Sequence, residues 1–545
     1  MKKFHPFLLS LASGLLLSGA WPPLPTIILI FFAFVPLFYL LEQGVSRKAF
    51  LGWSFLSMLI WNTITTWWIW NSTDVGAIGA IITNAALMTL PWLALYNVNK
   101  RLGSRFAYPA FLSAWLSFEY IHLNWELSWP WLTLGNVFAN NPDWVQWYEY
   151  TGTSGGSLWV LIVNILILKS VKAAASRTDL TGNRRSPQLK ISLAVALVLP
   201  IATSFLIKFT RNIGSPEDNN SATSKQPNIV VVQPNIDPYA KFSPGTQEAQ
   251  LNQLIRLSES AIDNETALVV WPETAINSPN GIEENKINQN ASLQAVRDFL
   301  GRHPQLKLLS GVESFNFLSS RDESPYARPI YGTDMFYEAY NTAALFDSSG
   351  MISKYHKSKL VPGVETLPSF LRFMDQWFEH FGGTTGGYAR QEERTVLTDD
   401  KNGLKIAPAI CYESIYGDFM TGFFRNGANI MIIITNDGWW GNTAGHKQHL
   451  AYARLRAIET RRWVVRSANT GISCFIDPLG KIYQPQGWDT EAAIKQTVQT
   501  YEEQTFFVRF GDWISWIMII AAAGILSWST FRFVQSRYQS KTNKT

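Results

Sequence analysis

Cysteine is nearly absent from this chain: Cys411 and Cys474 are the two in 545 residues. At most one disulfide can form, so no disulfide framework holds the fold. Glycine-rich phosphate loops of the nucleotide-binding types are missing as well. His446 and His449 lie three apart, but one pair without a third ligand does not make a metal site. A polar cap on the following helix is the expectation for them. We therefore expect no cofactor and no metal. Basic residues are also unevenly spread, and 126–155 contains no Lys or Arg at all.

What the chain does have is long apolar runs. Its mean hydropathy is close to zero, an average over two unlike parts. Residues 1–208 are dominated by apolar runs, whereas 209–510 reads as an ordinary soluble domain. A membrane span needs about 20 apolar residues, with roughly 17 tolerated. Eight candidates follow: 6–21, 25–42, 50–71, 77–97, 109–125, 156–171, 190–208 and 512–531.

Lys and Arg stay preferentially on the cytoplasmic side of short loops, which tests that count. Lys2 and Lys3 precede the first span, Arg47 and Lys48 follow the second, and Lys100, Arg101 and Arg105 follow the fourth. Lys169, Lys172, Arg177, Arg184, Arg185 and Lys190 follow the sixth, and Arg532, Arg537, Lys541 and Lys544 the eighth. The alternate loops are poor in such residues. Both termini then lie inside and the 209–510 domain outside. The net charge of +5 is thus mostly topological and implies no nucleic-acid partner. A cleaved signal peptide ending near Ser18-Gly19-Ala20 would leave seven spans and break this alternation, so the retained hairpin is the better reading.

From Asn228 onward, short β-rich runs alternate with helical stretches. Strands are expected over Ile229 to Val232, 267–271, 306–312, 341–347, 404–410, 430–435, 463–468 and 472–477. Leu251, Leu254, Ile255 and Ile262 carry a helical period. Fully apolar runs such as Ile430-Met431-Ile432-Ile433-Ile434 imply sheets covered on both faces, hence a layered α/β domain with helices outside. Residues 209–227 read as a linker. The expected domains are 1–208, a membrane domain of seven helices; 228–500, the soluble domain; and 501–545, the eighth span and a tail.

Cys411 sits where the apolar strand Leu404 to Ile410 gives way to a polar turn. Upstream, Glu273 closes the strand end Trp271-Pro272-Glu273, and Lys357 lies between it and Cys411 in Tyr355-His356-Lys357-Ser358-Lys359-Leu360. Singly, these residues have ordinary readings: a solvated strand end, a surface lysine, a packing cysteine (kept for Cys474 in Ile472-Ser473-Cys474-Phe475-Ile476). Together, a carboxylate, an amine and a thiol at strand ends are the parts of a covalent acyl-transfer site. A thiol of pKa near 8.5 is mostly protonated at neutral pH and needs a base or a positive neighbour. Glu273 could take the proton, and Lys357 could stabilise a tetrahedral oxyanion. Backbone N–H groups of a helix beginning near Glu413 would add to this.

The set Trp271-Pro272-Glu273-Thr274-Ala275, Tyr355-x-Lys357-x-x-Leu360-Val361-Pro362-x-x-Glu365 and Ile410-Cys411-Tyr412-Glu413 resembles the Glu-Lys-Cys triad of the nitrilase (carbon–nitrogen hydrolase) superfamily. Within it the chain is most similar to the bacterial apolipoprotein N-acyltransferase family. Supporting pieces are Gln233-Pro234-Asn235-Ile236, Thr435-Asn436-Asp437-Gly438-Trp439-Trp440-Gly441, Gln448-His449, Ala453 to Glu459, and Trp129-Pro130-Trp131-Leu132-x-x-Gly135 in the membrane half. The resemblance implies an αββα nitrilase-like sandwich and a ping-pong reaction. Cys411 would take an acyl chain from a phospholipid as a thioester and pass it to the α-amine of a diacylglyceryl-cysteine on an apolipoprotein. It assigns Glu273 as base, Lys357 as oxyanion stabiliser and Cys411 as nucleophile, with Glu365, Tyr412 and Glu413 in support. It also implies a monomer in the bacterial inner membrane with a periplasmic catalytic domain.

The aromatic-rich loop from Trp125 to Trp159 suits the membrane interface. Some positions depart from the family pattern: Pro362-Gly363-Val364-Glu365 stands for Pro-Phe-Gly-Glu, Phe242 replaces a Trp, and the glycine-rich Phe381 to Gly387 suggests a lid. Two other readings remain at this point. A membrane-tethered amidase would use the same triad on a small amide, but eight spans exceed what a tether needs. A transporter or receptor should carry ionisable residues at mid-membrane, and only Glu119 and His122, toward the outer end of the fifth span, stand out.

Overall fold

The computed structural model describes residues 4–175, 187–211, 226–278, 281–330, 332–370 and 387–542. The chain forms two compact units, one from 1–67, 77–210 and 510–545, the other from 68–76 and 211–509. The second unit therefore differs in extent from the expected soluble domain. It reaches 509, and it takes in 68–76, part of which was read as the third span. Packing explains the addition: the Trp68 ring meets that of Trp440 edge-on at 5.0 Å, and Asn71 donates to the Trp440 carbonyl at 2.8 Å. Most of the expected linker, and Phe381 to Gly386 of the expected lid, lie outside the described residues.

In the helical unit, four helices among the described residues are long and apolar enough to cross a membrane: Asp74–Leu102, Tyr148–Ala174, Pro187–Thr210 and Trp513–Gln539. Pro6–Ala20 and Ile27–Glu42 are shorter apolar helices. Two further expected spans form helices of full length, Arg47–Thr66 and Ser104–Leu123, but polar residues dilute them. Those residues bond to one another. Asn84 donates to Asn62 Oδ1 at 2.6 Å, and His122 Nε2 lies 2.8 Å from Asn84 Oδ1. Glu119 accepts from the Leu134 N–H at 2.8 Å, Trp115 Nε1 at 2.9 Å and Ser157 Oγ at 2.7 Å. These are the small and amide side chains that join helices where water is absent.

The helix ends sort into two groups. Glu42 pairs with Lys172 at 2.8 Å and accepts from Tyr108 at 2.9 Å, Tyr96 donates to the Val45 carbonyl, and Arg101 stacks on Phe533 at 4.4 Å. A second group joins Ser154 to Asp512 at 2.6 Å, Trp513 to the Tyr150 carbonyl and Lys208 to Asp143 at 2.7 Å. The aromatic loop differs from expectation. Its stretch Pro130 to Ala139 is buried within this unit, with Phe138 stacked on Trp159 at 4.8 Å, because the Glu119 bonds draw it inward. It is core more than an interfacial belt.

The second unit holds the strands. β1 (Asn228–Gln233), β2 (Thr266–Val270), β3 (Ile282–Glu283), β4 (Lys307–Leu318), β5 (Arg328–Pro329), β6 (Phe336–Asp347) and β7 (Gly350–His356) come first. β8 (Leu397–Asp399), β9 (Leu404–Ile410), β10 (Ile430–Thr435), β11 (Val464–Ala468), β12 (Cys474–Ile476), β13 (Ile482–Tyr483) and β14 (Ala492–Thr497) follow. One sheet has the order β14-β1-β2-β4-β6-β5, with β3 and β7 branching from β4 and β6; the other runs β13-β12-β11-β10-β9-β8. In the second, β9, β10 and β11 are parallel.

The sheets pack face to face, with Ser467 of β11 donating to the Val232 carbonyl of β1 at 2.9 Å. Helix Gln247–Glu259 covers the first sheet, where Leu254 and Leu257 pack among Val230, Val232, Val269 and Trp271. Alternate residues of β1 thus face a helix layer and the other sheet, so the strand is apolar throughout. Helices Gly417–Arg425 and Ala444–Thr460 follow β9 and β10 of the other sheet, and the unit is a layered α/β sandwich.

The sequence reading left out β7, which delivers Lys357. Its end is held by Glu284, whose carboxylate is 2.8 Å from His356 Nε2 and bonded to Lys354 and Ser314 at 2.7 Å. Burial opposes the charge, but the bonds to His356, Lys354 and Ser314 prevail and hold the Glu284 carboxyl down to about 2. An unfolded Glu titrates near ~4.3, so this pair of states favours folding fully above that value and loses the benefit as pH falls toward 2. Acid unfolding followed by circular dichroism in detergent should lose about 1.4 kcal/mol per pH unit of slope in this window in Glu284→Gln. An unchanged slope would contradict this anchoring.

Candidate functional site

The three groups picked out from sequence, and Asn436 beside them, lie just beyond the carboxyl ends of strands. Glu273 follows β2 by way of Trp271-Pro272, Lys357 follows β7, Cys411 follows β9 and Asn436 follows β10. Crevices at such strand ends are where open α/β sheets bind ligands.

The structure brings Glu273, Lys357, Glu365 and Cys411 together. Lys357 Nζ, fully buried, donates to Glu365 Oε1 at 2.7 Å and to Glu273 Oε1 at 3.2 Å. The surface reading of Lys357 does not hold. Burial alone would strip its proton, but the Glu273 and Glu365 carboxylates outweigh that and hold it well above the ordinary lysine value. The substituted Pro362-Gly363-Val364-Glu365 loop still delivers its carboxylate: Glu365 Oε2 accepts from the Val361 N–H at 2.8 Å, and Gly363 takes the left-handed conformation (φ +79°).

Glu273 is fixed from three more directions. Asn341 Nδ2 donates to Oε1 at 2.7 Å and the Asn436 N–H to Oε2 at 3.1 Å. The buried Lys241 donates to the Glu273 carbonyl at 2.8 Å and to Thr274 Oγ1 at 2.9 Å, steadying a turn in which Thr274 has φ +49°. Gly311 of β4 passes beneath it; a Cβ there would stand 2.3 Å from the Thr274 nitrogen, so no larger residue fits. Asn341 and Lys241 were missed from sequence. Asn341 sits mid-strand and Lys241 in an irregular segment, so neither pattern singles it out.

Cys411 occupies the left-handed region at φ +51°, which costs a non-glycine residue roughly 1–3 kcal/mol. It opens a 3₁₀ turn, Cys411–Ile415, and the α-helix expected near Glu413 begins only at Gly417. Several bonds enforce the conformation. Ser414 Oγ donates to the Cys411 carbonyl at 2.8 Å, and His449 Nε2 lies 3.1 Å from it. His449 Nδ1 is 2.9 Å from Asp437 Oδ1, and Arg466 donates to Asp437 Oδ2 at 2.7 Å. His449 is therefore no helix cap; the cap of Ala444–Thr460 is Thr443. The thiol itself is buried, and burial, then Glu273, push it far above the ordinary cysteine range against the pull of Lys357. These surroundings favour the neutral thiol.

Glu413 joins two of these segments. Its Oε1 accepts from Tyr355 Oη at 2.7 Å, the Ser358 N–H at 2.6 Å and the Lys359 N–H at 3.0 Å, while Oε2 accepts from the Ile410 N–H at 2.9 Å. Tyr412 is buried against Tyr416, rings 5.2 Å apart. Cys474 is buried in β12, and among the described residues no group of His, Cys, Asp or Glu could hold a metal.

The sequence model of the carbon-nitrogen hydrolase family matches residues 228–505, and that of the apolipoprotein N-acyltransferase N-terminal domain matches 13–166. The fold and match thus define residues 228–505 as a carbon–nitrogen hydrolase domain. A curated apolipoprotein N-acyltransferase from Chlorobaculum tepidum is 31% identical over 535 residues, covering 96% of each chain. Another from Geobacter metallireducens is 26% identical, over 95% of this chain and 94% of its own. This chain belongs to the apolipoprotein N-acyltransferase family.

Glu413→Ala leaves three backbone N–H groups without an acceptor, each costing ~1–3 kcal/mol when buried. Thermal unfolding of the second unit should fall accordingly, and Glu413→Gln, which keeps one carbonyl oxygen, should lose less. Equal melting of both variants and the parent would mean that the brace is dispensable.

Proposed function

We propose that the protein transfers a fatty acyl chain from a phospholipid to the N-terminal α-amine of the diacylglyceryl-cysteine of an apolipoprotein, through a thioester on Cys411. The observation that carries this reading is the buried ammonium of Lys357 bridging Glu273 and Glu365 beside the Cys411 thiol, in a chain that aligns almost end to end with enzymes of that name. A membrane-tethered amidase is the weaker reading, since it leaves the matched N-terminal domain without a use.

In the first half-reaction Glu273 takes the Cys411 proton as sulfur attacks the ester carbonyl. The Lys357 ammonium, together with backbone N–H groups of the Cys411 turn, offsets the charge that develops on oxygen. The carbon–oxygen bond then breaks, the lysophospholipid oxygen receives the proton from Glu273, and the acyl group stays on sulfur. In the second, the acceptor amine attacks the thioester, Glu273 accepts the amine proton, the carbon–sulfur bond breaks and the proton returns to Cys411. Glu365 keeps Lys357 charged and oriented, Glu413 fixes the lysine loop against the nucleophile turn, and Tyr412 forms a buried wall. A site closed to bulk water protects the thioester from hydrolysis.

The eight-span arrangement, with residues 1–208 and the last helix in the inner membrane and the catalytic domain periplasmic, belongs to this reading. It draws support from the helix ends, because the segments flanking the basic loops meet in one group (Glu42, Tyr96, Arg101, Tyr108, Lys172).

Incubation with labelled phospholipid followed by intact-protein mass spectrometry should detect one acyl group, lost on treatment with hydroxylamine. Cys411→Ala should carry none; acylation retained in that variant would mean another nucleophile. Lys357→Arg should lose at least 100-fold in thioester formation, the scale for one oxyanion-stabilising group, because a planar guanidinium does not fit a buried slot shaped for an ammonium. Turnover near the parent value would refute the role.

A further inference from the structure

Beside Glu273 the sandwich carries a carboxylate that no step above uses. Glu313 lies on β4 two residues past Gly311, and residues two apart on a strand share a face. That face carries the Glu273–Thr274 turn, since a Cβ at Gly311 would stand 2.6 Å from the Glu273 Cα. Glu313 is half-buried. Tyr388 Oη donates to its Oε1 at 3.3 Å, and among the described residues it forms no ion pair. Lys241 acts on it electrostatically but spends its bonds on the Glu273 carbonyl and Thr274 Oγ1.

A second acceptor stands next to it without a donor. Asn341 pairs with Glu313 across the β4–β6 ladder, which sets their Cβ atoms roughly 5 Å apart on one face. Asn341 Nδ2 is spent on Glu273 Oε1 at 2.7 Å. On the same amide, beside both carboxylates, the carbonyl oxygen Oδ1 is buried with no hydrogen-bond partner. Such an oxygen costs free energy that a ligand N–H would recover.

Charge points the same way. Glu273, Glu365 and Glu313 face Lys357 and Lys241, which leaves one negative charge over. Tyr388 adds none, because burial, then Glu313, Glu365 and Glu273, hold its phenol well above the ordinary tyrosine value. Burial lifts the Glu313 carboxyl against the pull of Tyr388 and Lys241, and a carboxyl shifted that way is the better proton acceptor.

We propose that Glu313 and Asn341 Oδ1 hold the α-ammonium of the acceptor, and that Glu313 removes its first proton. This rests on the acyl-transfer reading above, whose second half-reaction starts from a free amine. An α-amine has a pKa of about 8, so at neutral pH roughly nine in ten acceptors arrive as ammonium, with no lone pair to attack with. In the pocket one ammonium N–H donates to Asn341 Oδ1 and another faces Glu313. The latter N–H bond breaks, its proton passes to Glu313, and its electron pair stays on nitrogen, which attacks the thioester carbonyl carbon. Glu273 takes the second proton and returns it to the Cys411 sulfur as the carbon–sulfur bond breaks. Glu313 releases its own proton to solvent once the amide product has left. The two carboxylates thereby divide two protons that one could not hold.

The test uses the full-length protein in detergent micelles, loaded at Cys411 from phosphatidylglycerol. Acyl transfer to a diacylglyceryl-cysteinyl peptide with a free N-terminus is followed from about pH 6 to about pH 10, across the titration of the amine. At neutral pH, Glu313→Gln should slow transfer about tenfold relative to thioester formation in the same sample, as expected when only the neutral amine can react. The loss should fade above about pH 9, where the acceptor is neutral without help. Glu313→Asp, which keeps a carboxylate, should retain the shape of the parent profile. Hydroxylamine, already neutral at neutral pH, should release the acyl group equally from parent and variant. An effect through Lys241, which burial brings down to about 8, would reach both nucleophiles. A loss of the same size at every pH, shared by hydroxylamine, would mean that Glu313 only supports the fold and overturns the proposal. Unchanged transfer in Glu313→Gln overturns it too, while leaving acyl transfer intact. Slower loading from phosphatidylethanolamine alone, with transfer intact, would give the pocket to a headgroup amine instead. Absence of any thioester in the parent sinks acyl transfer and this proposal together.

Discussion

One carboxylate holds the site together. Glu413 accepts four hydrogen bonds, from the phenol of Tyr355 and from the backbone of residues 358, 359 and 410. Those donors belong to different sheets: Tyr355 lies on β7 of one, Ile410 on β9 of the other. The lysine loop and the cysteine turn are therefore not two independent strand ends that happen to be near. They form one piece across the sandwich, at the cost of burying a carboxylate whose charge is compensated mainly by N–H dipoles. Desolvation raises the Glu413 carboxyl, and those same bonds pull it back.

The remaining distortions follow from that frame. Cys411 and Thr274 both sit in the left-handed region, and each is held by a buried basic side chain, His449 and Lys241 respectively. Local strain persists only where the surroundings over-determine it. Here the surroundings are hydrogen bonds among side chains that sequence patterns mark poorly.

This explains what was legible beforehand. Strands apolar on both faces, such as Ile430 to Ile434, declare themselves because their burial leaves no polar positions. The clustered Glu273, Lys357 and Cys411 were legible because acid, amine and thiol fall in order at strand ends. β7 was not, since Gly350-Met351-Ile352-Ser353-Lys354 has neither a full apolar run nor clean alternation. His449 was read as a polar cap because spacing cannot reveal a partner twelve residues away. In the helical half, apolar runs marked Pro187–Thr210 and Trp513–Gln539, and the expected span 109–125 falls largely on the helix Ser104–Leu123, whose polar residues keep it out of the long apolar set. Its Glu119 and His122 are satisfied by neighbours, and a window average cannot see a neighbour. The same bonds drew an aromatic loop, expected at the interface, into the helical core.

The two sulfurs have a further consequence. Both thiols are buried and held in the protonated form, Cys474 pushed up to about 12 by burial and Cys411 higher still. Thiol–disulfide exchange proceeds through the thiolate, and so do most oxidations of cysteine. A thiol kept neutral by its surroundings is chemically quiet toward both. A protein built this way can carry two unpaired sulfurs with no reductant to maintain them.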